Sequence, residues 1–127
     1  ILAAIPVYAA AAEARASSYF SSYGANISTS GNGQISVNFK VIGTGTMTKI
    51  GSSVVQIFKA DGTRVASCSF ALNAYSYIMG YNTFSHSASV PYAGVSGQRY
   101  YAIVTFFAKD SKGSDTLNYT TSTVTAK

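Results

Sequence analysis

The chain has 127 residues, of which 47% are hydrophobic and only 10% are charged, and its formal net charge is +5. That length suits a single domain that buries its own core, and the apolar content excludes a disordered segment. One cysteine, Cys68, excludes an internal disulfide and a cysteine-based zinc site. Abundant Ser, Thr, Tyr, Val and Gly predict an all-β domain, because these residues suit pleated strands and the turns between them.

The first twelve residues, Ile1 to Ala12, read ILAAIPVYAAAA. An apolar run followed by small residues is typical of a secretory signal peptide, and Val7-Tyr8-Ala9 fits the small-x-small cleavage rule. The run is too short to span a bilayer. We therefore expect residues 1–12 to be a signal-peptide remnant or N-terminal apolar segment, residues 13–127 to form one β-sandwich domain, and the protein to be secreted.

A second interpretation of the same segment remains open. In an extended conformation Ile1, Ala3, Ile5 and Val7 lie on one face. Such a strand could complete an open sheet edge of a neighbouring subunit by strand addition. On this interpretation the protein self-associates through Ile1 to Ala12.

Beyond the N-terminal segment, alternating apolar and polar residues predict seven strands. The predicted strands are 19–28, 34–41, 50–59, 64–72, 83–92, 99–109 and 117–126. Gly43 to Thr46 interrupts the pattern, Asp61-Gly62 suits a hairpin turn, and Asn73 to Asn82 is irregular. Pro91 suits an edge strand or a strand terminus. Because no segment predicts a helix long enough for a parallel crossover, we expect antiparallel pairing.

The order and proportions of these strands resemble an immunoglobulin-like or fibronectin type III-like sandwich, so the expected fold is a seven-stranded antiparallel β-sandwich of that type. In such domains a tyrosine near the start of the sixth strand forms a hydrogen bond back to the preceding corner. The stretch Val95 to Tyr101 fits that corner. Tyr101 is the candidate because Ile103, two residues later, lies on the same face of the predicted strand.

Four longer stretches resemble a group of small secreted proteins of Gram-positive bacteria. They are SSYFSSYGA at 17–25, GTGTMTKIG at 43–51, MGYNTFSHSASVPY at 79–92 and RYYAIVTFFAKD at 99–110. The resemblance covers nearly everything from Glu13 onward. It implies secretion and a β-sandwich, and it implies no mechanism.

Few residues could carry catalysis. After Ala16 the only carboxylates are Asp61, Asp110 and Asp115, and the only histidine is His86. The aspartates belong to predicted turns and loops, and calcium needs more carboxylate ligands than they supply. His86 and Cys68 lie on apolar strand phases, where packing residues are expected. We therefore predict no catalytic residue, no metal, no cofactor and no enzymatic activity.

The basic residues after Ala16 are strung singly along the chain. They are Lys40, Lys49, Lys59, Arg64, Arg99, Lys109, Lys112 and Lys127. Domains that bind nucleic acid usually gather such residues on one face together with stacking aromatics. We therefore expect no nucleic-acid partner, and the net charge favours a weak attraction to anionic cell walls.

The tyrosine-rich stretch is the one candidate binding surface, and it contains Tyr75, Tyr77 and Tyr81. Tyrosine offers a large, rigid contact area with a polar tip, although tyrosines in a long connection can also plug the end of a sandwich. The expected function is a secreted, non-catalytic module that binds a cell-wall polymer, a glycan or a protein, or is associated with the cell surface. The alternative is a structural surface protein that assembles through its N-terminal segment.

Overall fold

The structure is a computed structural model that describes residues 18–127. The strands in this range are β1 (Phe20–Gly31), β2 (Gln34–Lys59), β3 (Arg64–Ser69), β4 (Met79–Ala93), β5 (Arg99–Asp110), β6 (Gly113–Thr120) and β7 (Val124–Thr125), with a 3-10 helix (Asn73–Ile78) before β4. The all-β class, the antiparallel pairing and the number of strands are confirmed. Both predictions for Ile1 to Ala12 lie outside the described residues.

β4 begins at Met79, within the stretch 73–82 that was predicted to be irregular. Two further errors concern how the chain divides into strands, and they cancel in the strand count. The predicted strands 34–41 and 50–59 are one strand, β2, because a bulge absorbs Gly43 to Thr46: the register with β4 jumps from Ile42 to Met47. The predicted strand 117–126 is two strands, since the chain leaves the ladder after Thr120 and rejoins β5 only at Val124.

β2 is 26 residues long and changes neighbours along its length. Its first half, residues 34–43, lies between β1 and β4. Its second half, residues 49–59, lies beside β5, and β3 pairs with its other side. Because β2 belongs to both groups of strands, all seven strands form one hydrogen-bonded sheet, which curls into a half-barrel.

The inner face of this curled sheet forms the core. Phe106 of β5 is fully buried and contacts rings from the other half of the sheet. Its centroid lies 5.8 Å from that of Tyr23 in β1 and 5.9 Å from that of Phe39 in β2. Tyr119 of β6 also reaches Tyr23, at 6.2 Å. These contacts bring the two halves of the sheet together in place of a second hydrogen-bonded layer.

The tyrosine at the corner before β5 is Tyr100, so the prediction of Tyr101 is wrong by one residue. Tyr100 is 1% exposed, and the Val95 backbone N–H donates a hydrogen bond to its hydroxyl at 2.9 Å. Tyr101 lies on the outer face, stacked on Phe58. Both faces of β5 carry apolar residues. Ala102 is small although it lies on the buried face, so the larger Ile103 led to the wrong choice of inner face.

β4 pairs only with β2 within residues 18–127, which confirms that Pro91 lies in an edge strand. The outer edge of β4 is partly covered. The Tyr77 hydroxyl donates to the Ser89 carbonyl oxygen at 3.1 Å, and Pro91 has no N–H to offer an incoming strand. Both features reduce the capacity of this edge to pair with another chain.

Candidate functional site

The predicted tyrosine surface is divided between core and solvent. Tyr75 is half-buried and packs against the core. Tyr77 is 43% exposed and Tyr81 is 53% exposed, and Tyr81 lies opposite Lys49 in the β2–β4 ladder. The two exposed rings supply aromatic contact area, whereas Tyr75 acts in packing. That this stretch binds a ligand stays a prediction.

Cys68 is buried, as the sequence predicted. Burial raises the pKa of its thiol above the ordinary value, and a hydrogen bond with the Tyr75 side chain offsets part of that rise. The thiolate is therefore disfavoured at neutral pH, so the environment does not suit a nucleophile.

His86 is half-buried, and its Nε2–H donates to the Tyr77 carbonyl oxygen at 2.7 Å, which ties the 3-10 helix to β4. Gly80 leaves room for the ring, since a Cβ there would lie 2.7 Å from Nδ1. The alternation in 83–92 predicts that Phe84 lies on the same inward face as His86, and this prediction is wrong, because Phe84 is 57% exposed. Phe84 lies opposite the β2 bulge and two residues after Asn82. The positive φ of Asn82, 54°, interrupts the alternation of inward and outward side chains in β4.

The three aspartates all bind backbone N–H groups. The Asp61 carboxylate accepts a hydrogen bond from the Thr63 N–H at 2.8 Å, and this bond lowers the pKa of Asp61. The Asp110 carboxylate accepts from the Lys112 N–H at 2.8 Å and closes the β5–β6 turn. Asp115 lies in β6 and not in the predicted loop. Among residues 18–127 no three His, Cys, Asp or Glu side chains are grouped to hold a metal ion. In the same range no helix has the length and apolar character to cross a membrane.

A groove that the sequence did not predict lies along β1, where residues of β1 and β2 approach Tyr119 of β6. Its volume is about 460 Å³, and it is lined by Ser22, Tyr23, Gly24, Ala25, Asn26, Asn38, Lys40 and Tyr119. We call it the Gly24 groove, because Gly24 provides its open centre: a Cβ built there would meet no atom within 4 Å. Lys40 lies directly opposite Gly24 in the β1–β2 ladder, and its side chain is exposed.

Asn38 organises the polar wall of the groove. Its Nδ2 donates to Asn26 Oδ1 at 2.9 Å and to Ser28 Oγ at 3.1 Å. Its Oδ1 accepts from Ser89 Oγ at 2.7 Å and from Ser36 Oγ at 3.2 Å. This network uses both donors and both acceptor positions of the Asn38 amide. It holds side chains of β1, β2 and β4 in fixed positions across the outer face.

The same network orients Asn26 for an outside partner. Because the Asn26 carbonyl oxygen accepts from Asn38, the Asn26 amide nitrogen keeps its two donors, for which the described part of the chain offers no acceptor. Ser22 and Lys40 add a hydroxyl and a cation, and Tyr119 adds an aromatic surface. The lining contains no carboxylate, histidine or cysteine, so these residues can bind and orient a ligand but offer no acid–base pair.

One signal in the sequence could have indicated the groove. Gly24 interrupts an outward phase of Ser22, Asn26 and Ser28, and a glycine inside a strand often marks a place where a ligand approaches the backbone. The position of Asn38 beside Asn26 depends on the β1–β2 register, which the local pattern does not show.

Comparison of the chain with family models, with curated proteins and with solved structures gives no match. The functional argument therefore depends on the geometry of the described residues.

Proposed function

We propose that the chain is a secreted, non-catalytic module that binds a cell-wall glycan in the Gly24 groove. The observation that carries this proposal is an open groove whose polar wall is held in place by the four hydrogen bonds of Asn38. Its volume of about 460 Å³ falls in the range of roughly 300–1,000 Å³ that is usual for small-ligand sites.

The chemistry of the lining suits a sugar. Amide and hydroxyl groups can exchange hydrogen bonds with sugar hydroxyls, and the Tyr119 ring can pack against the C–H face of a sugar ring. Lys40 would favour a glycan with an acidic substituent. Because the groups on the strands are already ordered, binding loses less side-chain entropy than binding to a mobile loop.

Two sequence expectations belong to this proposal. Secretion is supported by the signal-like Ile1 to Ala12 and by the resemblance to small secreted proteins. We also propose that the half-barrel is a variant of the immunoglobulin-like sandwich, in which β2 runs through both layers. The hydrogen bond of Tyr100 at the corner before β5 supports this relationship.

The experiment uses Gly24→Val, which adds a side chain to the groove at a position where a Cβ would meet no atom within 4 Å. Gly45→Val is the matched control, because a Cβ at Gly45 also meets no atom within 4 Å and this residue lies outside the groove lining. Binding of soluble oligosaccharides of N-acetylated amino sugars, as fragments of a wall glycan, is measured by titration calorimetry. We expect the control to bind like the original chain and Gly24→Val to bind at least about tenfold more weakly, a loss of about 1.4 kcal/mol. Equal binding by all three chains would refute the groove as the site.

A Tyr81→Ser variant distinguishes the groove from the tyrosine surface. Tyr81 is exposed and remote from the groove lining, so we expect this substitution to leave binding unchanged. If Tyr81→Ser abolishes binding and Gly24→Val does not, the tyrosine stretch is the binding surface. N-terminal sequencing of the secreted protein tests the alternative of donor-strand assembly, which requires Ile1 to Ala12 to be retained.

A further inference from the structure

The outer face of the second half of β2 carries a different set of residues. Phe58 of β2 lies between Arg64 of β3 and Tyr101 of β5 in direct cross-strand pairing. The rings of Phe58 and Tyr101 are stacked, with centroids 5.1 Å apart and planes 9° apart. Arg99 lies two residues before Tyr101 in β5, so it projects from the same side of the strand. We call Phe58, Arg64, Arg99 and Tyr101 the arginine patch.

The fold, and not the local sequence, brings these charges together. Arg64 and Arg99 are 35 positions apart, yet both are exposed at the end of the sheet that holds the β2–β3 hairpin. Lys59 is at the same end, opposite Tyr100. The hairpin also contains Asp61, whose carboxylate accepts the Thr63 N–H. Three cations and one carboxylate leave this end with a net charge of +2.

We propose that the arginine patch binds a phosphodiester polymer of the poly(glycerol phosphate) kind. A guanidinium group presents a planar set of donors that matches phosphate oxygens bidentately. The strands of Arg64 and Arg99 are separated by two strand spacings, roughly 10 Å, so both long side chains can reach one polymer chain that crosses the patch. The half-exposed rings between them give the polymer's glycerol carbons an apolar surface.

The stacked pair offers bases fewer open ring faces than two separate rings would. Proteins that bind single-stranded nucleic acid stack successive bases on the open faces of aromatic rings. In the patch the parallel stack covers one face of each ring with the other ring. Within residues 18–127 no third ring stacks on this pair. The guanidinium groups remain the main contacts, and they recognise phosphate.

This inference does not depend on the Gly24 groove, which lies on the other half of β2, and the probe is chosen accordingly. A fluorescently labelled poly(glycerol phosphate) that carries no sugar is titrated with the full chain, and binding is followed by anisotropy at about 50 mM and about 200 mM salt. The variants are Arg64→Gln, Arg99→Gln and the control Lys112→Gln. Lys112→Gln removes the same charge from an exposed position in the β5–β6 turn. Circular dichroism checks that each variant is folded.

We expect each arginine variant to bind at least about fivefold more weakly than the control, because a phosphate loses a charge-assisted bidentate contact. Affinity should fall with salt, and Gly24→Val should bind like the original chain. An equal loss in Lys112→Gln would overturn the inference in favour of a general charge attraction. Tighter binding of a single-stranded DNA of equal charge would overturn it in favour of nucleic acid. Loss of binding in Gly24→Val would place the polymer in the groove, which contradicts the patch and leaves the proposed function intact.

Discussion

The two halves of β2 have inner faces of the same apolar character, but their outer faces differ in chemical character. In both halves the inner residues, such as Val37 and Val55, are fully buried. In the first half the outward residues are polar, with Asn38 and Lys40 beside the groove. In the second half an aromatic residue, Phe58, faces outward between arginine and tyrosine. The comparison shows that one strand can share a single core while its outer face carries polar residues in one half and an aromatic residue beside arginine in the other.

The largest expected effect concerns the shared inner face. Phe106→Ala removes the ring that joins the two halves of the sheet and leaves a cavity, so we expect the free energy of unfolding to fall by about 3–5 kcal/mol. Phe84→Ala removes a ring that is 57% exposed and should change stability by less than about 0.5 kcal/mol. Urea unfolding measures both. Similar losses in the two variants would show that the halves do not meet at Phe106.

The next effect concerns the corner before β5. Tyr100→Phe leaves the Val95 N–H without its acceptor, so we expect a loss of about 1–3 kcal/mol in urea unfolding. Tyr101→Phe keeps the ring stack with Phe58 and removes a hydroxyl on the outer face, so it should be nearly neutral. A larger loss in Tyr101→Phe than in Tyr100→Phe would reverse the assignment of inner and outer phases in β5.

A smaller effect concerns the outer face of the first half. Gly24→Val replaces a flexible residue in a strand with a β-branched one in open space, so we expect stability to rise by up to about 1 kcal/mol. The thermal midpoint of Gly24→Val is compared with that of the original chain. A clear fall in the midpoint would mean that the groove is filled in the folded protein and is not open to a ligand.

The smallest effect is the pH dependence from Cys68. Burial raises the pKa of this thiol, so the native state keeps its proton when the unfolded state loses one. Stability should therefore decrease as the pH rises past the ordinary value of 9.0. Urea unfolding at neutral and alkaline pH measures this loss, and Cys68→Ala should lack that part of it. The same alkaline loss in both chains would show that Cys68 contributes nothing to it.

The inner face of the sheet was largely predictable, because burial imposes an alternation that the local pattern displays. The pattern predicts a strand at 99–109 that nearly matches the bounds of β5, and it predicts the start of β2 at residue 34 correctly. The errors fall where tertiary structure overrides that pattern. The bulge after Ile42 continues β2 past Gly43, where the apolar alternation stops. Both faces of β5 carry apolar residues, so the local pattern does not show which face is buried.

The outer face was not predictable to the same extent. The prediction of a binding surface relied on tyrosines that are close together in the sequence, but the groove and the arginine patch are formed by residues from different strands. Asn26 meets Asn38 only through the β1–β2 register, and Arg64 meets Arg99 only through their common neighbour β2. Pairing of distant segments determines such sites, and a local pattern contains no record of it.

The most direct test of the central claim is a titration of the isotope-labelled protein with soluble oligosaccharides of N-acetylated amino sugars, followed by backbone amide chemical shifts. We expect the largest changes at Ser22 to Asn26 and at Asn38 to Lys40, with little change at Tyr77 and Tyr81. Changes centred on the two tyrosines, or no saturable change at Gly24, would contradict the assignment of the glycan site to the first half of β2.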